Sequence, residues 1–115
     1  MPLVHMGDML RHAYENRYAV AAFDVVSLDF IDGVISAAEA KQAPVIISLA
    51  ESHFDYYDFE LLMSAVVRAS QRTFVPVAIH LDHGQSLESA ITGINLGCTG
   101  IMIDTSNQRL EDNIR

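Results

Sequence analysis

Short, continuous apolar runs alternate along the chain with longer segments in which apolar residues recur every three or four positions. Four of these runs are each followed by polar residues, and they predict four β-strands. The predicted strands are residues 18–23, 44–50, 75–81 and 100–103. Successive strands begin about 25 to 31 residues apart, which is the length of one strand–helix unit in a parallel sheet.

Helical periodicity fills the segments between the strands. It predicts a leading helix over residues 6–16, a helix in each of the three connections, and a last helix that starts at Leu110. The inward faces of the first two connecting helices are predicted to be Ile31, Val34, Ile35 and Ala38, and then Phe59, Leu62, Met63, Val66 and Ser70. The third connecting helix closes at Gly97, and its predicted inward face is Leu87, Ala90, Ile91 and Ile94.

Continuous rather than alternating apolar strands indicate an α/β sheet that is covered on both faces. Two closures are compatible with that pattern. A doubly wound sheet could close within 115 residues, whereas a (β/α)8 barrel needs about 250. The extra leading helix and the final helix interrupted at Arg115 favour the second closure. We therefore predict that residues 1–115 are a fragment, a single segment forming the first four βα units and the N-terminal half of a (β/α)8 TIM barrel.

The charge balance narrows the classes of partner. Fifteen acidic and seven basic side chains give a net charge of −8, which disfavours nucleic acid as a binding partner.

No apolar run is long enough to span a membrane, so we expect a cytoplasmic protein. The single Cys98 excludes an internal disulfide and is expected to be a buried filler. Half a barrel leaves its outer strands uncovered, and we therefore expect a homo-oligomer.

Polar residues follow each predicted strand, where ligands bind in parallel α/β folds. These residues are Asp24, Glu51, Ser52, His53, Asp82, His83 and Asp104. If the strands are correct, all of them lie on one rim. This rim is therefore the predicted functional site.

The segment His80-Leu-Asp-His-Gly84 is the most informative element on that rim. Gly84 permits a turn that lets Asp82 and His83 address one pocket although they are adjacent in sequence. Neutral His83 could then bind Zn²⁺ while Asp82 moves a proton, and the metal would polarise a carbonyl group. The alternative is that Asp82 caps the next helix and His83 is simply solvated beside it.

The other rim residues have weaker signals. His80 falls within the strand and is expected to be a hydrogen-bonded histidine of the interior. Asp104 could bind or support a metal, or it could cap the following segment together with Ser106. Glu51 and His53 precede an aromatic, acidic loop that is typical of a solvated lid.

Residues 18–23, 44–47, 75–84 and 101–104, together with 111–114, resemble the class II (zinc-dependent) ketose-bisphosphate aldolases. The most specific part of this resemblance is His-x-Asp-His-Gly after a Val-Pro-Val strand, at residues 75–84. The resemblance spans nearly the whole chain, in order, and covers the family's N-terminal part.

The resemblance implies a (β/α)8 barrel that splits fructose or tagatose 1,6-bisphosphate reversibly into dihydroxyacetone phosphate and glyceraldehyde 3-phosphate. It implies a phosphorylated sugar as substrate, a zinc or other divalent cofactor, and a role in glycolysis or carbohydrate metabolism. It makes Asp82 the catalytic residue that takes the proton of the C4 hydroxyl, and His83 the first zinc ligand. Asp104 falls on an aspartate that in some members binds a second metal position. The full-length protein would be the active lyase, and the 115-residue chain alone is expected to be inactive.

Two departures from the family pattern keep other functions open. Asp24 stands where members usually carry Asn, and residues 48–52 lack the glycine-rich character common after that strand. A non-catalytic, aldolase-like protein is one alternative. A receiver-like signalling module is another, because Asp24 and Asp82 end the first and third strands, although the only lysine is Lys41 in a crossover helix.

Overall fold

The computed structural model describes residues 2–115, in which parallel strands and α-helices alternate. The strands are β1 (Ala21–Asp24), β2 (Val45–Ala50), β3 (Val77–Gly84) and β4 (Gly100–Ile103). The helices are α1 (Met6–Glu15), α2 (Leu28–Lys41), α3 (Phe59–Arg72), α4 (Leu87–Leu96) and α5 (Leu110–Ile114), and Glu51–His53 form one 3-10 turn. The predicted α/β class and order of elements are confirmed.

The order of the strands decides between the two predicted closures. The sheet runs β1-β2-β3-β4, and every pair is parallel. One apolar core packs the connecting helices against a single face of this sheet. A doubly wound sheet would reverse its strand order and carry helices on both faces. The chain therefore has the architecture of a partial (β/α)8 barrel, and the doubly wound alternative is wrong.

Alternate residues of the central strands divide between two environments, as the period of a β-strand requires. Ile47, Leu49, Ile79 and Leu81 are fully buried against the connecting helices. The predicted inward faces of α2 and α3 are confirmed, because their residues are buried or partly buried in this same core. The larger share of the core thus lies between the sheet and its outer helices.

The opposite face of the sheet, the barrel interior, changes character along the strands. Near their amino ends, Ile46 and Ala78 are neighbours across the β2–β3 ladder and pack against Met9 of α1. Further along, Ser48 pairs with His80, and Ala50 pairs with Asp82. Helix α1 therefore covers the amino ends only. Toward the carboxyl ends the interior face becomes polar, while Ser48 and Ala50 stay buried.

Helix α4 contradicts three of the four residues of its predicted inward face and confirms the fourth, Ala90. The side chains of Leu87, Ile91 and Ile94 are 75%, 50% and 57% exposed, whereas Ala90 and Gly93 are buried. A Cβ atom on Gly93 would lie 3.3 Å from the Cδ1 atom of Ile101. The small residues thus let α4 approach the sheet closely, and the larger apolar side chains lie on its outer side.

The outer strands are less covered than the central ones. Phe23 on β1 is 49% exposed, and Ile103 on β4 is 44% exposed. Cys98, in contrast, is buried as predicted. Within residues 2–115, none of the helices combines the length and the apolar character needed to cross a bilayer.

Candidate functional site

The predicted rim residues do meet at one edge of the sheet. Asp24 is the last residue of β1, Glu51 follows β2, Asp82 and His83 lie at the end of β3, and Asp104 follows β4. Because all four strands are parallel, their carboxyl ends share this edge. The placement that the sequence predicts for these five residues is therefore confirmed.

A bulge at the end of β3 shapes the site. Leu81 pairs with Ile101 on β4, but the next pair is Gly84 with Ile103, so that two β3 residues oppose one β4 residue. One of these two, His83, has a left-handed backbone with φ of 50°. The turn expected at Gly84 is thus made one residue earlier. It brings the carboxylate of Asp82 and the ring of His83 close together, with 3.8 Å between Oδ2 and Nε2.

Gly84 serves the bulge by its lack of a side chain. A Cβ atom there would lie 2.9 Å from the carbonyl oxygen of Met102 on β4. The carbonyl oxygen of Gly84 also accepts a hydrogen bond of 2.8 Å from the backbone N–H of Asp104. The close packing of β3 on β4 at Gly84 therefore fixes the position of the Asp104 backbone.

Asp104 holds the ring of His83. Its Oδ2 lies 2.7 Å from Nδ1 of His83, and its Oδ1 accepts a hydrogen bond of 3.0 Å from the backbone N–H of Ser106. The local turn expected with Ser106 is thus present, and the second oxygen of Asp104 contacts the rim histidine. Donation of the Nδ1 hydrogen to the carboxylate leaves the Nε2 lone pair of a neutral ring free for a ligand.

The contact between His83 and Asp104 also shifts the pKa of both groups. The hydrogen bond to Asp104, followed by the negative charge of Asp82, raises the pKa of His83. Hydrogen bonds from Ser106 and from His83 lower the pKa of Asp104 to about 2. Asp104 is therefore ionised at neutral pH, and a cation that binds Nε2 of His83 must replace any proton there.

His80 lies deeper in the interior and matches its prediction. Its Nδ1 is 3.3 Å from the hydroxyl oxygen of Ser48 and 4.0 Å from Oδ1 of Asp82. Burial lowers the pKa of His80, and the nearby Asp82 opposes that change. Asp82 consequently has an imidazole on each side, His80 below it and His83 at the rim.

The helix-cap alternative for Asp82 is wrong. Helix α4 is capped by Ser86, whose hydroxyl oxygen accepts a hydrogen bond of 3.1 Å from the backbone N–H of Ser89. Asp82 remains within β3, and its side chain is only 21% exposed. Its carboxylate is therefore not used in capping a helix and can contact a ligand bound at the rim.

The donor set of the rim fits part of a divalent metal site. Nε2 of His83 is a suitable nitrogen ligand with its other nitrogen already held, which is the usual arrangement for a metal-binding histidine. Between Pro2 and Arg115, however, no group of three or more His, Cys, Asp or Glu side chains is arranged to hold an ion. The described residues supply one imidazole ligand with Asp82 beside it.

Sequence reasoning missed the role of Glu51. The sequence pattern carried only a weak signal at Glu51, but its carboxylate accepts hydrogen bonds from the backbone N–H of Gln85 and from the hydroxyl group of Ser89. These partners follow Glu51 by 34 and 38 residues. No local pattern in the sequence could have indicated them.

The lid segment itself is partly packed. Phe54 stacks on Phe59 with 3.9 Å between ring centroids, and the hydroxyl oxygen of Tyr57 is buried with no hydrogen-bond partner among the described residues. Burial, followed by the negative charge of Asp24, raises the pKa of Tyr57 to about 12. The aromatic residues therefore anchor this segment beside the rim.

Comparison with known proteins places this geometry in a family. The family model described as "Fructose-bisphosphate aldolase class-II" matches residues 4–115. A Bacillus subtilis (strain 168) protein named "Probable fructose-bisphosphate aldolase" is 41% identical over 99% of this chain and 41% of its own length. The "Fructose-bisphosphate aldolase" of Geobacillus stearothermophilus is 37% identical over 100% of this chain and 41% of its own length.

Solved structures show the same likeness in three dimensions. The crystal structure of the YdjI aldolase from Escherichia coli K12 superposes with a TM-score of 0.92 and 34% sequence identity. The match covers 98% of this chain and 44% of that one. The chain thus spans less than half the length of the relatives and of the structure that it matches.

Proposed function

Because this chain belongs to the class II fructose-bisphosphate aldolase family, we propose that the whole protein is a metal-assisted lyase of ketose 1,6-bisphosphates. The reaction is the reversible cleavage of fructose or tagatose 1,6-bisphosphate into dihydroxyacetone phosphate and glyceraldehyde 3-phosphate. Residues 1–115 are then the first four strand–helix units of its barrel. The observation that carries this proposal is the β3 bulge, which presents Asp82 and His83 side by side on the rim.

Asp82 is the proposed base. In cleavage, its carboxylate takes the proton from the C4 hydroxyl group while the C3–C4 bond breaks. The O–H electron pair forms the aldehyde carbonyl of one product, and the C3–C4 electron pair remains on the other. The position of Asp82 supports this role, because its side chain is only 21% exposed and lies beside the proposed metal ligand His83.

His83 is the proposed metal ligand, and Asp104 fixes the direction of its ring. A divalent cation such as Zn²⁺, when bound, supplies Lewis-acid polarisation of the substrate carbonyl group. His83 would bind it through Nε2, since Nδ1 is held by Asp104. A catalytic zinc site uses three protein ligands, so the others come from elsewhere in the barrel. That Asp104 itself binds a second metal position stays a prediction.

The partner and location predictions also stay proposals. The exposed apolar side chains of Leu87, Ile91 and Ile94 on α4 support a covering element, which we assign to further barrel structure or to a second copy in a homo-oligomer. A phosphorylated sugar is the proposed small-molecule partner, and the cytoplasm is the proposed compartment.

The structure fits the two alternative functions, a receiver-like module and a non-catalytic relative, to different degrees. The receiver-like module is disfavoured, since the strands run in sequential order with the connecting helices on one face. A non-catalytic relative is favoured by one observation, the carboxylate of Asp24 at the end of β1, where the family usually carries an amide. An acceptor-only carboxylate on the rim adds repulsion toward a phosphate group.

Cleavage assays on the natural full-length protein test the proposal. Fructose and tagatose 1,6-bisphosphate are supplied separately, and dihydroxyacetone phosphate is detected by its NADH-dependent reduction. We expect cleavage of at least one sugar, and loss of both bound metal and activity in His83→Ala. A metal-loaded protein that cleaves neither sugar would favour the non-catalytic alternative.

A further inference from the structure

The end of β3 carries the rim histidine in a backbone conformation that needs support. His83 has a φ of 50°, which is uncommon for a residue with a β-carbon. Such a conformation persists only where the surrounding structure fixes it. The contacts that hold residues 84–89 therefore determine where the His83 ring lies.

Glu51 provides two of these contacts from the neighbouring strand. It is the first residue after β2, and its carboxylate reaches across to both ends of the β3–α4 loop. One oxygen accepts from the backbone N–H of Gln85 and the other from the hydroxyl group of Ser89. A single side chain thus ties the end of β2 to the loop and to the first turn of α4.

Gln85 transmits this support to His83. Its side-chain amide donates a hydrogen bond of 3.0 Å to the carbonyl oxygen of His83. Its backbone N–H is the group that Glu51 accepts from. Gln85 is therefore held by Glu51 through its backbone and holds the backbone of His83 through its side chain. Glu51 does not need to contact the His83 ring itself.

We propose that Glu51 is a positioning residue, which acts through Gln85 to hold the His83 ring in its metal-binding orientation. This inference deepens the proposed function and rests on it for the identity of the reaction. The support is geometric, so an amide of the same shape should replace the carboxylate. In Glu51→Gln, the amide oxygen can accept from the Gln85 N–H, and the amide nitrogen can donate to the Ser89 hydroxyl oxygen.

The test compares Glu51→Ala and Glu51→Gln in the natural full-length protein, with Glu88→Ala as the matched control. Glu88 is an acidic residue near this loop, in the first turn of α4, and it is exposed whereas Glu51 is partly buried. Three quantities are measured for each variant. They are the affinity for Zn²⁺ in competition with a chelating dye, the hydrogen-exchange rate of the Gln85 amide, and kcat and KM for bisphosphate cleavage.

In Glu51→Ala we expect Zn²⁺ affinity and kcat to fall about 10- to 100-fold, the loss typical when the support of a metal ligand is removed. KM should change little, and exchange of the Gln85 amide should accelerate. Glu51→Gln and Glu88→Ala should stay close to the unmodified protein. If Glu51→Ala does not fold, Ser89→Ala removes one of the two contacts, and its Zn²⁺ affinity should fall in the same direction.

Two results would overturn the inference. One is a Glu51→Ala protein with a lower melting temperature but unchanged Zn²⁺ affinity and kcat, which indicates a structural role only. The other is a Glu51→Gln protein as impaired as Glu51→Ala, because charge rather than geometry would then be responsible. Absence of cleavage in every protein, including the unmodified one, refutes the proposed function instead, and metal affinity and amide exchange still decide the role of Glu51.

Discussion

Replacing Gly84 by alanine is the sharpest perturbation of the rim, because it adds one methyl group where β3 meets β4. The new Cβ atom would lie 2.9 Å from the carbonyl oxygen of Met102 and 3.2 Å from the Cδ2 atom of Leu81. The nearer atom belongs to the backbone of the neighbouring strand. The added methyl group therefore cannot be accommodated by a change of side-chain rotamer.

The expected cost follows from this overpacking. Extra methyl groups in a well-packed core cost about 1–3 kcal/mol of stability. The displacement should also reach the site, since the carbonyl oxygen of Gly84 accepts the Asp104 N–H at 2.8 Å and Asp104 holds the His83 ring. Gly84→Ala should thus lower both the free energy of unfolding and the affinity for Zn²⁺.

Gly33→Ala is the matched control. Gly33 lies in α2, and apart from its chain neighbours and the nearby backbone of its own helix, nothing lies within 4 Å of the position that a Cβ would take. Alanine in an exposed helix is favoured over glycine by about 0.5–1 kcal/mol. The same chemical change should therefore stabilise the protein at residue 33 and destabilise it at residue 84.

Equilibrium urea unfolding of the natural full-length protein, followed by circular dichroism, measures both effects. The account predicts shifts of the midpoint in opposite directions for the two variants. A Gly84→Ala protein as stable as the unmodified one, with unchanged Zn²⁺ affinity, would refute the close packing of β3 on β4 and its connection to the rim.

Two further predictions concern buried groups beside the core. Tyr57→Phe removes a buried hydroxyl group that has no hydrogen-bond partner within residues 2–115, so it should leave stability unchanged or raise it by about 1 kcal/mol in urea unfolding. A clear loss of stability would show that this hydroxyl group is hydrogen-bonded. Cys98 is buried, and burial raises the pKa of its thiol to about 12. It should therefore react with a thiol reagent at pH 8 only after unfolding, and rapid labelling of the native protein would contradict its burial.

The sequence predicted most of the fold because the strands are marked by local hydrophobicity. The start and end of β4 were predicted as the structure has them, whereas β3 extends to Gly84 rather than stopping at Leu81. That extension includes the bulge, whose conformation depends on pairing with Met102 and Ile103 one unit later in the chain. Pairing of this kind has no local signal.

The inward face of α4 shows where hydrophobic patterning is misleading. Periodicity predicted Ala90 correctly but placed Leu87, Ile91 and Ile94 on the same inward face, whereas Gly93 is the other buried residue of the helix. The deciding factor is the close approach of the helix to Ile101 and Leu81, which only small residues permit. Distance between elements is a tertiary property, and residue type alone does not encode it.

The sequence predicted which residues form the candidate site better than it predicted the hydrogen bonds between them. Asp82, His83 and Asp104 were located by their positions after strands, and the structure places them together. The hydrogen bond that joins His83 to Asp104 and the reach of Glu51 to Gln85 depend on how separate strands lie side by side. These contacts required the sheet to be assembled first.

The proposed function requires that the β3 bulge makes Asp82 the proton acceptor of a lyase. Its most direct test is kcat for bisphosphate cleavage by Asp82→Asn in the natural full-length protein, with bound Zn²⁺ measured in the same sample. The account predicts a kcat about 10²- to 10⁴-fold lower, the usual contribution of a general base, with metal content unchanged. An Asp82→Asn protein that retains its metal and cleaves the sugar within a fewfold of the normal rate would contradict it.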